Sequence, residues 1–104
     1  MPEGFLPYRI QYSVLAFSHL RGLAARQQGT VLAAIEEQLV HEPATETRNR
    51  KLMRPNLLAT WELRVGDLRV FYNLESEPED VVLIVAVGLK DRNRLFIGGE
   101  EVIQ

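Results

Sequence analysis

Apolar and polar positions alternate with two different periods along the chain, and the changes of period mark the elements. Tyr8, Ile10 and Tyr12 alternate with Arg9 and Gln11, which predicts a short strand. Ser13 is placed to cap a helix whose apolar stripe is Val14, Phe17, Leu20 and Leu23. Gly22 weakens that helix, and Gln27-Gln28-Gly29 is the expected bend into a second one. The second helix carries Val31, Leu32, Ile35 and Leu39 inward, with Glu36 and Glu37 toward water, and stops near His41 because Pro43 disfavours helical geometry at Glu42. Residues 43–56 are polar and basic, with a proline at either end, and are expected to form a loop.

From Leu57 the period changes to two. Trp61, Leu63 and Val65 alternate with Glu62 and Arg64; after Gly66-Asp67, Leu68, Val70 and Tyr72 alternate with Arg69, Phe71 and Asn73. Two such runs around a two-residue turn predict a β-hairpin, and glycine in the first turn position suits a type II′ turn. An acidic loop, Glu75 to Asp80, leads into Val81–Val87, which is apolar throughout and is expected to be a central strand. Leu95–Ile97 forms a last short strand before Gly98-Gly99. The expected architecture is α+β: an N-terminal strand and a helical hairpin packed on one face of a small, mainly antiparallel sheet. The expected core sets Trp61, Leu63, Val65, Leu68, Val70, Tyr72, Leu83 and Val85 beneath Phe17, Leu20, Ile35 and Leu39.

With 104 residues, 46% hydrophobic and 25% charged, the chain fits one ordinary globular domain over residues 1–104. The absence of cysteine excludes a disulfide framework, a thiolate metal site and a cysteine nucleophile, and fits a reducing compartment. The apolar run Val81–Val87 is far shorter than the roughly 18 residues of a membrane helix, and Met1–Gly4 lacks the basic start of a secretory signal. A cytoplasmic protein without a membrane partner is expected. Net charge is −2, so no bulk basic field draws the chain to nucleic acid. The distribution is uneven, however: nine of the 12 basic residues lie between Arg48 and Arg94. Neither His19 nor His41 has a carboxylate at ligand spacing, so no metal or other cofactor is expected, and each is read as a surface or helix-end residue.

The hairpin register concentrates chemistry on one face. A turn at Gly66-Asp67 sets Arg64 directly across from Arg69, with Glu62 two residues from Arg64. Like charges in that position destabilise a sheet, opposed pairs being worth ~0.2–1 kcal/mol in either direction. Either Glu62 compensates both arginines in a surface ion network, or a phosphate binds between them. If Leu74 lies opposite Val81, then Val82, Ile84, Ala86, Gly88 and Lys90 join the same open face. Ala86 and Gly88 would then leave room beside Arg69, with Lys90, Arg92 and Arg94 reaching toward the patch. Because the arginines repel each other, removing Arg69 is expected to cost less than ~1 kcal/mol.

Lys51-Leu52, the run Trp61-Glu62-Leu63-Arg64-Val65-Gly66-Asp67-Leu68-Arg69-Val70-Phe71-Tyr72, and Val85-Ala86-Val87-Gly88-Leu89-Lys90 together resemble the RelE/ParE superfamily of bacterial toxins. The preceding helical hairpin fits the same family. The resemblance implies the toxin of a type II toxin–antitoxin pair, partnered by an antitoxin from the neighbouring gene. RelE-type members cut messenger RNA on the ribosome, whereas ParE-type members poison DNA gyrase and cut nothing. For the RelE-type activity, Arg69 matches the phosphate-stabilising arginine, Arg64 a strand position that carries lysine in the family, and Lys90 the basic residue that protonates the leaving oxygen. Glu62 stands in place of another lysine, as a charge partner of the arginines or as a general base. Further RNA contacts fall to Arg48, Arg50, Lys51, Arg54, Arg92 and Arg94, and to Phe96, which replaces a tyrosine and can stack on a base without donating a proton. The resemblance thus implies a metal-independent endoribonuclease that inhibits translation; a gyrase inhibitor or an inactive antitoxin-binding member are the alternatives.

Overall fold

A computed structural model describes residues 7–103 of the chain; Met1–Gly4 lies outside the described residues. The elements run β1 (Arg9–Tyr12), α1 (Val14–Arg21), α2 (Ala25–Leu39), β2 (Arg50–Leu52), β3 (Trp61–Val65), β4 (Leu68–Glu75), β5 (Val81–Asp91), β6 (Arg94–Ile97) and β7 (Glu100–Val102). The strands form one sheet in the order β2-β3-β4-β5-β6-β7, all antiparallel neighbours, with β1 added in parallel to β5. The two helices cover one face, so the fold is α+β. Among the described residues no helix is long and apolar enough to cross a membrane.

The helix-covered core contains Ala16, Leu20, Val31, Ile35 and Leu39 against Trp61, Leu63, Leu68, Val70, Tyr72, Val82, Ile84 and Val87, with Val65 packed at its margin. Trp61 and Tyr72, paired across β3 and β4, stack with ring centres 6.1 Å apart. Stacking of this kind adds ~0.5–1.5 kcal/mol to the area that the rings bury.

Several expectations are corrected. Phe17 is 54% exposed and Val14 is exposed as well, because the small Ala16 lets α1 lie close to the sheet and turns the core-facing side to Ala16 and Leu20. Leu32 is likewise exposed. The bend between the helices falls at residues 22–24 instead of at Gln27-Gln28-Gly29. Gln27 accepts the Ala24 N–H through its side chain, and Gln28 donates to the Leu23 carbonyl, so both glutamines brace the start of α2. The supposed loop 43–56 contains β2.

The expected strand parity fails at one point. Leu74 pairs with Val82, not Val81, and between Phe71 and Tyr72 the ladder shifts so that Tyr72 faces Ile84 while Phe71 faces Ala86. Val85 is the extra residue of this bulge. Val82 and Ile84 therefore face the helices, whereas Leu83 and Val85 do not. Beyond the bulge Ala86, Gly88 and Lys90 fall on the second face, as expected.

That second face is not open. Phe71, Ala86, Leu95 and Ala59 form a second core, packed by Met53, Leu58, Val85, Ile97 and Val102. The segment 53–60 lies over it, held by Asn56, whose side-chain amide donates to the Arg54 and Ala59 carbonyls while its oxygen accepts the Leu58 and Ala59 N–H groups.

Tyr72 ties the two ends of the helix-side core together. Its buried hydroxyl donates to the Pro43 carbonyl at 2.7 Å, and burial pushes the phenol well above its ordinary range, so it remains a donor. Tyr72→Phe should preserve the circular-dichroism spectrum and lower stability by ~1–3 kcal/mol, the cost of a buried carbonyl that loses its donor. The melting temperature should fall by about 4–8 °C for each kcal/mol lost.

Candidate functional site

The β3–β4 hairpin has the register that its sequence predicts. Val65 pairs with Leu68, Arg64 with Arg69, Leu63 with Val70 and Glu62 with Phe71 across the Gly66-Asp67 turn. Gly66 adopts a φ of +60°, which a side chain would strain. Alternation then sends Glu62, Arg64 and Arg69 to the face opposite the helices, and β2 adds Lys51 opposite Glu62.

Glu62 sits between the two arginines. Its carboxylate accepts a bond from Arg64 Nε at 3.1 Å and lies 3.9 Å from Arg69 Nε. Without it the directly paired Arg64 and Arg69 would only repel each other; with it, one anion serves two cations. The arginines differ in freedom. Arg69 has a side chain 15% exposed and donates through one terminal nitrogen to the carbonyls of Gly66 and Leu68. The Arg64 side chain is 48% exposed and, among the described residues, bonded to Glu62 alone.

Gly88 lies directly opposite Arg69, but it does not leave space for a ligand. A Cβ there would come within 2.8 Å of the Phe96 carbonyl and 2.9 Å of the Ile97 side chain, so the missing side chain admits β6. Ala86 is buried in the second core. Approach to Arg69 is therefore from the turn side, where Lys90 follows. The Lys90 N–H donates to the Asp67 carbonyl, which fixes the strand end beside the turn. Its side chain borders a hollow of about 230 Å³ shared with Asn93, Leu95, Glu101 and Val102.

The remaining expected RNA contacts divide. Arg48, Arg54 and Arg92 are exposed, Arg92 at a φ of +60° in the β5–β6 turn. Arg94 pairs with Glu101 at 3.8 Å. Arg50 is withdrawn from the surface: its guanidinium donates to the Thr45 carbonyl, and to the carbonyl and side-chain oxygen of Gln38. It lies opposite Leu63, which faces the helices, and so serves the C-terminal end of α2. Phe96 pairs with Leu89 on the helix side of the sheet and cannot stack on a base held by Arg64 and Arg69. Among the described residues there is no group of three or more histidine, cysteine or acidic side chains that could hold a metal.

These contacts revise the expected cost of removing Arg69. Two bonds from a largely buried cation to the hairpin carbonyls are lost, so Arg69→Ala should destabilise by about 1–2 kcal/mol. Arg64→Ala, which breaks one exposed ion pair, should cost less than about 1 kcal/mol. Urea unfolding of the two variants checks the order.

Comparison with known proteins agrees with this geometry. Residues 9–94 match the family described as the ParE toxin of the type II toxin–antitoxin system, parDE. A solved structure, the toxin–antitoxin complex RelBE2 from Mycobacterium tuberculosis, contains a chain that superposes with a TM-score of 0.69 at 27% identity. The match covers 82% of this chain and 100% of that one. No curated protein matches the sequence significantly. The helical hairpin, the Gly-Asp turn with its paired arginines and the family match lead to one statement: the chain belongs to the RelE/ParE superfamily of type II toxin–antitoxin toxins.

Proposed function

We propose that this toxin is a metal-independent endoribonuclease of one domain over residues 1–104, acting in the cytoplasm on messenger RNA at the ribosome. The observation that carries the reading is the Glu62 carboxylate held between Arg64 and Arg69 on the sheet face that ends at Lys90. In this reading the Glu62 carboxylate takes the proton of an RNA 2′-hydroxyl. The freed oxygen then attacks the adjacent phosphorus, and the phosphorane carries extra negative charge. Arg64 and Arg69 lie where that charge develops, and fixed cations stabilise it most where water is excluded. As the bond to the 5′-oxygen breaks, Lys90 supplies the proton. The products are a 2′,3′-cyclic phosphate and a 5′-hydroxyl. Lys51, opposite Glu62, and the exposed Arg48, Arg54 and Arg92 are the further cations offered to the RNA backbone in this reading.

A cognate antitoxin from the neighbouring gene is the proposed partner that silences the toxin, in keeping with the superposed RelBE2 complex. A second reading, inhibition of DNA gyrase without catalysis, is favoured by the ParE description of the matching family and by the apolar residues Val14, Leu15 and Phe17 exposed on α1. An inactive, antitoxin-binding member is the third.

Induced expression followed by separate assays of messenger RNA cleavage and DNA supercoiling distinguishes them. Under the nuclease reading Glu62→Gln retains the fold and lowers cleavage by about 100-fold or more, the usual contribution of a general base. Lys90→Ala should slow the same step, with the wild-type rate of cleavage approached only when a leaving group that needs no proton is supplied. Toxicity that survives both substitutions while supercoiling falls would replace the nuclease by the gyrase inhibitor.

A further inference from the structure

The long central strand β5 has one edge paired by β4 along nearly its whole length. Its other edge is shared in three parts. β1 pairs with residues 81–84 and β6 with residues 88–91, which leaves residues 85–87 without a strand. Two side chains from the start and last turn of α1 fill this gap. Ser13 Oγ donates to the Val85 carbonyl at 2.8 Å, and His19 Nδ1 accepts the Val87 N–H at 3.2 Å. The imidazole thus replaces a backbone carbonyl.

The same ring rests on the turn between β6 and β7. Gly98 has a φ of +62°, and a Cβ at that position would stand 3.3 Å from His19 Cδ2 and 3.4 Å from Nε2. The β6–β7 hairpin is otherwise attached by four paired positions on β5 and by Leu95, Ile97 and Val102 in the second core. One ring therefore joins α1, the middle of β5 and the terminal hairpin.

We propose that His19 is a pH-sensitive latch: its neutral ring closes the gap in β5 and holds the β6–β7 hairpin against α1, and its protonated ring releases both. The accepting Nδ1 must be unprotonated, which requires the neutral tautomer with hydrogen on Nε2. A proton on Nδ1 would point one donor at another, and the Val87 N–H would lose its only partner among the described residues.

The groups that meet the ring are uncharged: the Val87 N–H from β5 and Gly98 from the turn. On α1 the nearest ionisable side chain in sequence is Arg21, which lies over the Phe17 ring. In the turn it is Glu100, which is exposed. Burial holds the imidazole below its ordinary value of 6.5, and among the described residues no carboxylate contributes. The sign follows. The unfolded or opened ring takes up a proton before the latched ring does, so the latch is at full strength above pH 6.5 and weakens as pH falls below it.

Amide hydrogen exchange on the full chain, followed by NMR from about pH 7.5 to about pH 4.5, tests this. Protection of Val87 and of the β6–β7 amides, corrected for intrinsic exchange, should fall about tenfold or more along the titration curve of the His19 ring itself. Amides of β3 and the first half of β4 should hold. His19→Asn, which offers an acceptor that does not titrate, should flatten the response. Gly98→Ala should open the hairpin even at neutral pH by displacing the ring. Titration of the wild-type ring without change at Val87 and the hairpin would overturn the proposal. So would loss of hairpin protection while the ring is still neutral, and both are read on the wild-type chain should a variant fail to fold.

Discussion

Everything in this fold is arranged around satisfying the backbone of β5. A central strand buried on both faces must find a partner for each N–H and carbonyl, because an unpaired buried group costs about 1–3 kcal/mol. β4 does this along one edge. On the other edge β1 enters in parallel from the N-terminus, β6 returns antiparallel from the C-terminus, and α1 must begin between them. Ser13 explains how one residue can serve both demands. Its hydroxyl accepts the Ala16 N–H as a helix cap and donates to the bulged Val85 carbonyl. The position of α1, and with it the depth of Ala16 and Leu20 in the core, follows from that double bond.

The cationic hairpin shows how like charges can be opposed on one face at little cost in stability. Two arginines opposed across a sheet repel, and a globular protein of net charge −2 has no general reason to place them there. Glu62 resolves the repulsion locally while leaving Arg64 half in solvent. Arg69 is fixed by backbone carbonyls instead, so that its geometry does not depend on a ligand. Under the proposed nuclease reading, a site prepared in this way gains in transition-state binding because little reorganisation remains to be done when charge develops. The same arrangement gives an acidic chain a local cationic patch: Arg64 and Arg69 lie at the hairpin tip, and the acids of residues 75–80 stand at the far end of β4.

The hairpin was legible in the sequence because strict alternation and a two-residue turn leave one register. Its neighbours were not, for separate physical reasons. Val81–Val87 is apolar at every position, so a bulge that flips the parity leaves no trace in the pattern. The α1 segment is apolar at four successive positions, Val14–Phe17, and only the closeness of helix to sheet selects Ala16 over Phe17. Arg50 sits among surface cations in sequence, while the carbonyls of Gln38 and Thr45 that bind it come from elsewhere in the chain. Gly88 suggested room for a ligand, yet the same absence of a side chain equally admits a neighbouring strand, and β6 takes that place. Lys51 was read as one cation in a loop; its pairing with Glu62 depends on a strand too short to announce itself.

The Gly66-Asp67 turn connects these features, since both of its carbonyls are used by the site. Gly66 accepts Arg69, and Asp67 accepts the backbone N–H of Lys90. Arg69 and Lys90 therefore take their positions from one two-residue segment, although they are carried by different strands. A glycine with positive φ fixes that segment without a side chain to strain it. Small movements of the turn would shift both cations together and keep their spacing. The sheet behind the turn is rigid because two cores clamp it, the helices on one face and the segment 53–60 on the other. The second core, hidden in the sequence behind Phe71 and Ala86, is thus what turns a surface hairpin into a fixed platform.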